Sequence, residues 1–373
     1  MIRFVILALF AATVAAAADV PELPVSAPKL VVQPQSPIIA VGKTRRYAVW
    51  SDYFIYGMEL TADGKPRLET RTKIADARYP LQLFAVDDQF YLVYTNGTTP
   101  VFSRCIDTGA TRETAYDARL TSNGSRLLER YSTASGEQGV LLSRDLVPVS
   151  NPFNLDAPAP YWLEMSAAGG TFFMLAADRN GNAHGKLIDN DGHVTDLGPL
   201  LRLGQIASPH LATDGGAYLL VWQPTSFAVF ARYITAAGEV TGDLIVIAQA
   251  TAPVIDFASV AWSGSDYVVG WHDSSASSLN IRHVSGGTAG PPVQVAAPVL
   301  GGGVTGGPAG TFALWVVNST PNTGITSLGA AYAQRLDVAD DPDVISYGVP
   351  AQYESAVVAD AAQSAVVWTE ADT

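Results

Sequence analysis

Short strands anchored on a residue that is aromatic in most copies, and Arg130 or Ala176 in two, recur 36 to 53 residues apart and predict an all-β fold, a β-propeller of four-stranded antiparallel blades, seven or eight in number. Two further observations support this class. Glycine-centred turns separate the strands, and no apolar pattern of helical period follows the first 18 residues. A β-sandwich array, which also strings short strands between turns, is the alternative fold.

The clearest copies of the unit run from Pro209 to Trp222 and from Ala258 to Trp271, each a strand, a glycine turn and a second strand. After Trp222 the pattern continues with a third strand, Phe227 to Ile234, a turn at Ala237-Gly238 and a fourth strand, Asp243 to Ala248. The same order follows Trp50, with Phe54 to Leu60 third and Leu68 to Ile74 fourth. Weaker copies surround Tyr94, Arg130, Ala176 and Trp315, and a half copy ends at Trp368. Counting gives seven full units and one half unit. The segment Lys29 to Gln33 reads as a strand without a unit of its own, and pairing it with the half unit would close a ring of eight, which favours eight blades over seven. The glycine run Gly301 to Gly307 lacks the Lys-Ser/Thr of a phosphate loop and reads as a flexible linker between blades.

Residues 1–18 carry one positive charge at Arg3, an apolar run from Phe4 to Val14 and small residues Ala15 to Ala18. This is the pattern of a secretory signal peptide and is too short to span a bilayer. The expected organisation is a signal peptide at 1–18, an N-terminal segment at 19–35 that supplies the ring-closing strand, and the propeller at 36–373. The expected location is secreted or periplasmic. The end at Thr373 also fits one piece of a larger surface assembly.

The only cysteine, Cys105, excludes an internal disulfide, so the fold rests on its core. It alternates with polar neighbours and lacks a nearby His or basic cluster, which points to a small buried hydrophobe rather than a nucleophile. Lys and Arg number 22 against 35 Asp and Glu. A surface this acidic repels nucleic acid and anionic lipid, so neither is an expected partner, and no later stretch is long and apolar enough for a membrane span.

The repeat, carried by Asp214-Gly215 with Tyr218 to Trp222, by Asp266-Tyr267 to Trp271 and more loosely by Arg46 to Asp52, resembles that of secreted bacterial β-propeller proteins. The resemblance covers almost the whole chain after residue 18. It implies a ring fold and export, and it carries no activity.

The anchor aromatics Trp50, Tyr94, Trp222, Trp271 and Trp368 stand at the end of second strands. Large rings at a fixed repeat position pack neighbouring blades together or offer a stacking platform for sugars. Two residues further on stand Asp52, Asn96, Asp178, Asp273 and Glu370. They open the loop between second and third strands, either as an acidic or amide ring suited to cations, basic peptides or sugar hydroxyls, or as side chains that start the hairpin by bonding their own backbone. His272 and His210 are expected at the same end of the ring, where an acid–base pair is conceivable. No His-x-x-x-His spacing occurs. The stretch that begins at Asp178-Arg179-Asn180-Gly181-Asn182 has Ala183 where a calcium loop turns on Gly and Asp189 where it ends on Glu, so neither a metal nor a cofactor is expected. Sialidase boxes and WD repeats are absent from the sequence.

These residues favour an exported, non-catalytic binding or scaffold propeller that recognises an extracellular protein or glycan through its loop face. The alternative is an enzyme acting on extracellular polysaccharide with loop carboxylates as acid and base.

Overall fold

The computed structural model describes residues 38–370 except 52–53, 78, 98–99, 115–116, 156–161, 205–207, 251–254, 300, 308–309, 319–328, 338–341, 348–351 and 360–363. Within 38–347 the chain forms seven antiparallel meanders. Blade 1 is built from Ile38–Val41, Arg46–Ser51, Ile55–Leu60 and Thr72–Ala75, and blade 2 from Tyr79–Val86, Gln89–Thr95, Val101–Cys105 and Thr111–Thr114. Blade 3 comprises Arg119–Ser122, Leu127–Thr133, Gly136–Leu142 and Phe153–Asn154; blade 4 comprises Trp162–Ala168, Thr171–Ala177, Asn182–Ile188 and Val194–Arg202. Blade 5 is His210–Thr213, Ala217–Thr225, Ala228–Thr235 and Val240–Gln249. In blade 6, Ile255–Trp262, Tyr267–Asp273 and Ser278–Ser285 are followed by two short pieces, Thr288–Ala289 and Val293–Ala296, that both pair with the third strand. Blade 7 is Gly301–Gly307, Gly310–Asn318, Gly329–Arg335 and Asp343–Tyr347.

The first strand of each blade touches the first strand of the next, and that of blade 7 touches that of blade 1, so the seven innermost strands form a closed cycle around a central channel. This is a β-propeller of seven blades, and the expectation that favoured eight is corrected. Ile39, Val41, Trp50 and Met58 of blade 1 share one apolar cluster with Phe312 and Leu314 of blade 7. Thr305 Oγ1 donates to the Ile39 carbonyl at 3.0 Å, and the Arg335 guanidinium donates to the Ala62 carbonyl. Blades 1 and 7 therefore meet directly. Residues 1–18, expected as a signal peptide, and the 19–35 segment with the strand expected at Lys29 to Gln33 lie outside the described residues. A two-stranded hairpin, Gln352–Ala359 with Ser364–Glu370, forms a unit of its own in which Trp368 stands opposite Ser355.

Two strand readings change. The glycine run 301–307 is the innermost strand of blade 7, not a linker. A Cβ on Gly306 would stand 2.8 Å from the Trp262 carbonyl of blade 6, and one on Gly307 would stand 2.7 Å from the Val41 carbonyl of blade 1. At those two positions only a bare backbone fits between the neighbours, and Val304 and Thr305 alone carry β-branched side chains in this strand. In blade 1, Leu68–Thr70 is a 3-10 turn and the fourth strand begins at Thr72.

The core lies between blades. Tyr94 packs with Tyr47, Val49 and Ile55 of blade 1, Trp222 with Phe173 and Leu175 of blade 4, and Trp271 with Leu219 and Val221 of blade 5. Each anchor faces the preceding blade. Trp315 does the same against Leu279, although its preceding glycine is one residue closer in sequence. Cys105 is fully buried between blades 2 and 3 as a free thiol. Four residues before their anchors, Tyr218 and Tyr267 are also fully buried. The Tyr267 hydroxyl receives the Asp214 amide at 3.1 Å and donates to the Ala217 carbonyl at 3.2 Å, stitching blade 6 to the turn of blade 5.

Candidate functional site

Antiparallel order fixes two rims. Turns between first and second strands lie on one rim, and turns between second and third strands lie on the opposite one, beside the crossings from blade to blade. Asn96, Asp178 and Asp273 open turns on this second rim. Asp52 is outside the described residues, and Glu370 ends the separate hairpin opposite Gln352.

Each of these polar side chains that has described partners holds its own hairpin. Asp178 accepts the Asn180 and Asn182 amides at 2.8 and 2.9 Å and the Asn182 side-chain amide at 2.9 Å. Those bonds, led by the Asn182 side chain, hold its carboxyl below the usual range. Asp273 accepts the Ser275 hydroxyl at 2.7 Å and the Ser275 and Ala276 amides at 3.0 and 3.2 Å. Partial burial would raise its pKa, but these donors outweigh burial and lower it. Asn96 is exposed at the end of its strand. Among the described residues no hydrogen bond or ion pair joins Asn96, Asp178 and Asp273 to one another.

His272 is buried inside the second strand of blade 6. His210 opens the innermost strand of blade 5, where its charged neighbour is not His272 but Glu164 on the innermost strand of blade 4, Nδ1 to Oε1 3.8 Å apart. The two occupy matching registers, since Glu164 stands opposite Leu175 and His210 opposite Val221, each one residue before the anchor position. Burial in the ring wall pushes the Glu164 carboxyl up to about 8 against the opposing field of Arg119, and burial lowers His210. Both shifts favour the uncharged form of the group. Glu164 and Arg119 carry no motif, but the 46-residue separation of Glu164 and His210 equals the spacing of their anchors.

Blade 3 replaces the anchor aromatic with Arg130. Its guanidinium pairs with Glu137 at 2.6 Å and Asp117 at 3.1 Å, and the Ser132 hydroxyl lies 2.7 Å from each of those carboxylates. All three charges are largely buried, so the network fixes blade 3 only while every partner is present.

Elsewhere on the innermost strands, side chains cross to the next blade. Gln82 donates to the Leu120 carbonyl at 2.6 Å and accepts its amide at 3.0 Å, and Ser259 accepts the Val304 amide at 2.9 Å. The inner edge of a sheet has no neighbouring strand to pair with, and these groups satisfy part of it.

Toward the first rim a cavity of about 540 Å³ is lined by six of the seven innermost strands. Two outer clefts of about 590 and 650 Å³ open between blades 6 and 7 and between blades 4 and 5. Each is floored by an anchor and its cross-strand aromatic partner: Trp315 stacks on Tyr332 at 5.7 Å, and Trp222 meets Phe230 edge-on at 6.0 Å. Ligand atoms of Asp189, Asp191 and His193 lie within 4.8 Å of one another. The Asp189 carboxylate already accepts both following amides of this hairpin and contacts His193 Nδ1 at 2.9 Å, which makes the group a turn.

No family profile and no curated protein sequence matches the chain. Solved structures do. A prolyl endopeptidase superposes with a TM-score of 0.55 at 10% identity over 87% of this chain and 52% of that one. Prolyl oligopeptidase B from Galerina marginata gives 0.54 at 10% identity over 87% and 53%, and the acylaminoacyl peptidase of Pyrococcus horikoshii gives 0.50 at 11% over 90% and 57%. The chain thus spans about half the length of these peptidases. At such identity the likeness establishes the ring fold and nothing of their chemistry.

Proposed function

We propose that this protein is a non-catalytic binding or scaffold ring, exported after removal of residues 1–18, that recognises an extracellular protein or glycan through the rim of second-to-third-strand turns. The carrying observation is that this rim is preorganised. Asp178 and Asp273 lock their hairpins while standing at equivalent places around a rigid ring, so a partner meets fixed loops and the entropy cost of ordering them is small. The acidic balance of the chain suits a basic or neutral partner and disfavours nucleic acid. Among the described residues no helix is long and apolar enough to cross a membrane. The same turn bonds weaken the polysaccharide-enzyme reading for Asp178 and Asp273, because a carboxyl held below its usual range is a poor proton donor at neutral pH.

The test uses the triple variant Asn96→Ala, Asp178→Asn, Asp273→Asn, which removes two rim charges and keeps acceptor oxygens for the turns. Immobilised wild type and variant are compared for retention of extracellular proteins and for binding on a glycan array. The expected result is loss of the wild-type ligand with an unchanged melting curve; equal retention by both would reject the rim.

A further inference from the structure

The channel cavity at the opposite rim has a chemistry distinct from the rim turns. None of its lining residues is Lys, Arg or His, so it offers no counter-charge to a phosphate or carboxylate. Its one carboxylate, Asp214, is spent on its own turn, accepting the Gly216 and Ala217 amides at 2.7 Å each. A multivalent cation finds too few charged ligands there. What remains is neutral and polar. Thr121 and Ser166 present hydroxyls that donate to no protein acceptor among the described residues, and the inner strand edges add backbone amides and carbonyls.

Against this polar wall stand two aromatic side chains, Trp262 at the end of the innermost strand of blade 6 and Phe84 in that of blade 2, both only partly buried. Trp262 packs edge-on against Tyr267 at 4.9 Å between ring centres, and Phe84 stacks on Tyr91 at 5.3 Å. Supported rings beside free hydroxyls in a cavity of about 540 Å³ fall within the ~300–1,000 Å³ typical of small-ligand sites. A pyranose combines these needs. Its C–H face lies on the electron-rich face of an indole while its hydroxyls bond outward to hydroxyl and backbone partners.

We propose that this end of the channel is a binding site for a neutral saccharide, with Trp262 as the stacking surface and Thr121, Ser166 and the inner strand edges as its hydrogen-bond partners. The site is independent of the turn-bearing rim, so each reading fails on its own evidence.

The probes are glucose, galactose, mannose, N-acetylglucosamine and cellobiose, with glucuronate as the charged match, titrated into the full chain and followed by saturation-transfer NMR and calorimetry. One or more neutral sugars should bind at one site per chain, with glucuronate about tenfold weaker or worse. Trp262→Ala should weaken binding about tenfold and Trp262→Phe much less. Because Trp262 also packs on Tyr267, the isosteric Thr121→Val provides a second reading and should weaken binding severalfold at an unchanged melting temperature. The rim triple variant should bind sugar as the wild type does. Absence of binding by every neutral sugar, equal binding of glucuronate, or binding indifferent to both Trp262→Ala and Thr121→Val would overturn the proposal.

Discussion

Replacing Phe312 with alanine tests how the ring closes. Phe312 is fully buried on the second strand of blade 7, and its ring edge lies 2.7 Å from where a Cβ on Gly64 of blade 1 would stand. Gly64 has a φ of +96°, so glycine there serves both the turn and the close approach of the ring. Removing a fully buried phenylalanine costs about 3–5 kcal/mol, the transfer of the ring plus the cavity left behind. Phe172→Ala is the reference, since Phe172 is equally buried in the cluster between blades 3 and 4. Guanidinium unfolding followed by circular dichroism should give both variants similar losses of midpoint. If the junction of blades 7 and 1 were open or held another blade, Phe312 would lie at a pliable edge. A loss below about 1 kcal/mol for Phe312→Ala beside a full loss for Phe172→Ala would refute direct closure.

Arg130→Ala should destabilise the protein by about 3 kcal/mol or more in the same assay, because Glu137 would be left as an uncompensated buried charge beside the partly exposed Asp117. Arg144→Ala, which breaks an exposed pair with Asp87, should cost less than about 1 kcal/mol. The Glu164–His210 contact should shape stability against pH. Glu164 is raised in the fold, so its contribution is fully present below its ordinary value of 4.5 and is lost as pH climbs through about 8. His210 is lowered, so its contribution is present above its ordinary 6.5 and is lost as pH falls through and below that value. With Glu164 still 32% exposed, solvent screening limits its effect to about 1–2 kcal/mol. Glu164→Gln should therefore flatten the decline of the unfolding midpoint between pH 5 and about pH 9, and a wild-type decline that persists in the variant would assign it to other groups.

The blades were legible because most repeat the same local conditions: a buried aromatic at the end of the second strand in five of the seven, with Arg130 and Ala176 in its place in blades 3 and 4, a glycine or Asp/Asn turn, and alternation in between. Blade 7 was harder to read for a physical reason. Its innermost strand is squeezed between blades 6 and 1 and consists largely of glycine, which removes the propensity signal by which a strand is recognised. Eight blades were favoured because a half unit and a stray strand invited pairing, whereas closure is decided by contacts such as Thr305 to Ile39, 266 residues apart in sequence. The acids after the anchors were visible as a pattern. Their bonds to neighbouring amides follow from local turn chemistry that sequence does express, as at Asp178 and Asp273. Of the channel groups only His210 stood out in the sequence; its contact with Glu164, and the cavity that Thr121 and Trp262 share, join residues of different blades and arise only through the ring.

Chemical cross-linking between blades 1 and 7 bears most directly on the ring itself. Arg335 donates to the Ala62 carbonyl and holds the Asp337 carboxylate at 2.6 Å, which brings the exposed side chains of Asp63 and Asp337 to the same spot from opposite ends of the ring. In a Cys105→Ala background, Asp63→Cys with Asp337→Cys treated with a short bismaleimide should give a near-quantitative intramolecular link, read as one cross-linked peptide pair by mass spectrometry. A chain that yields only singly modified or intermolecular products would place blade 7 away from blade 1 and contradict the closed ring of seven.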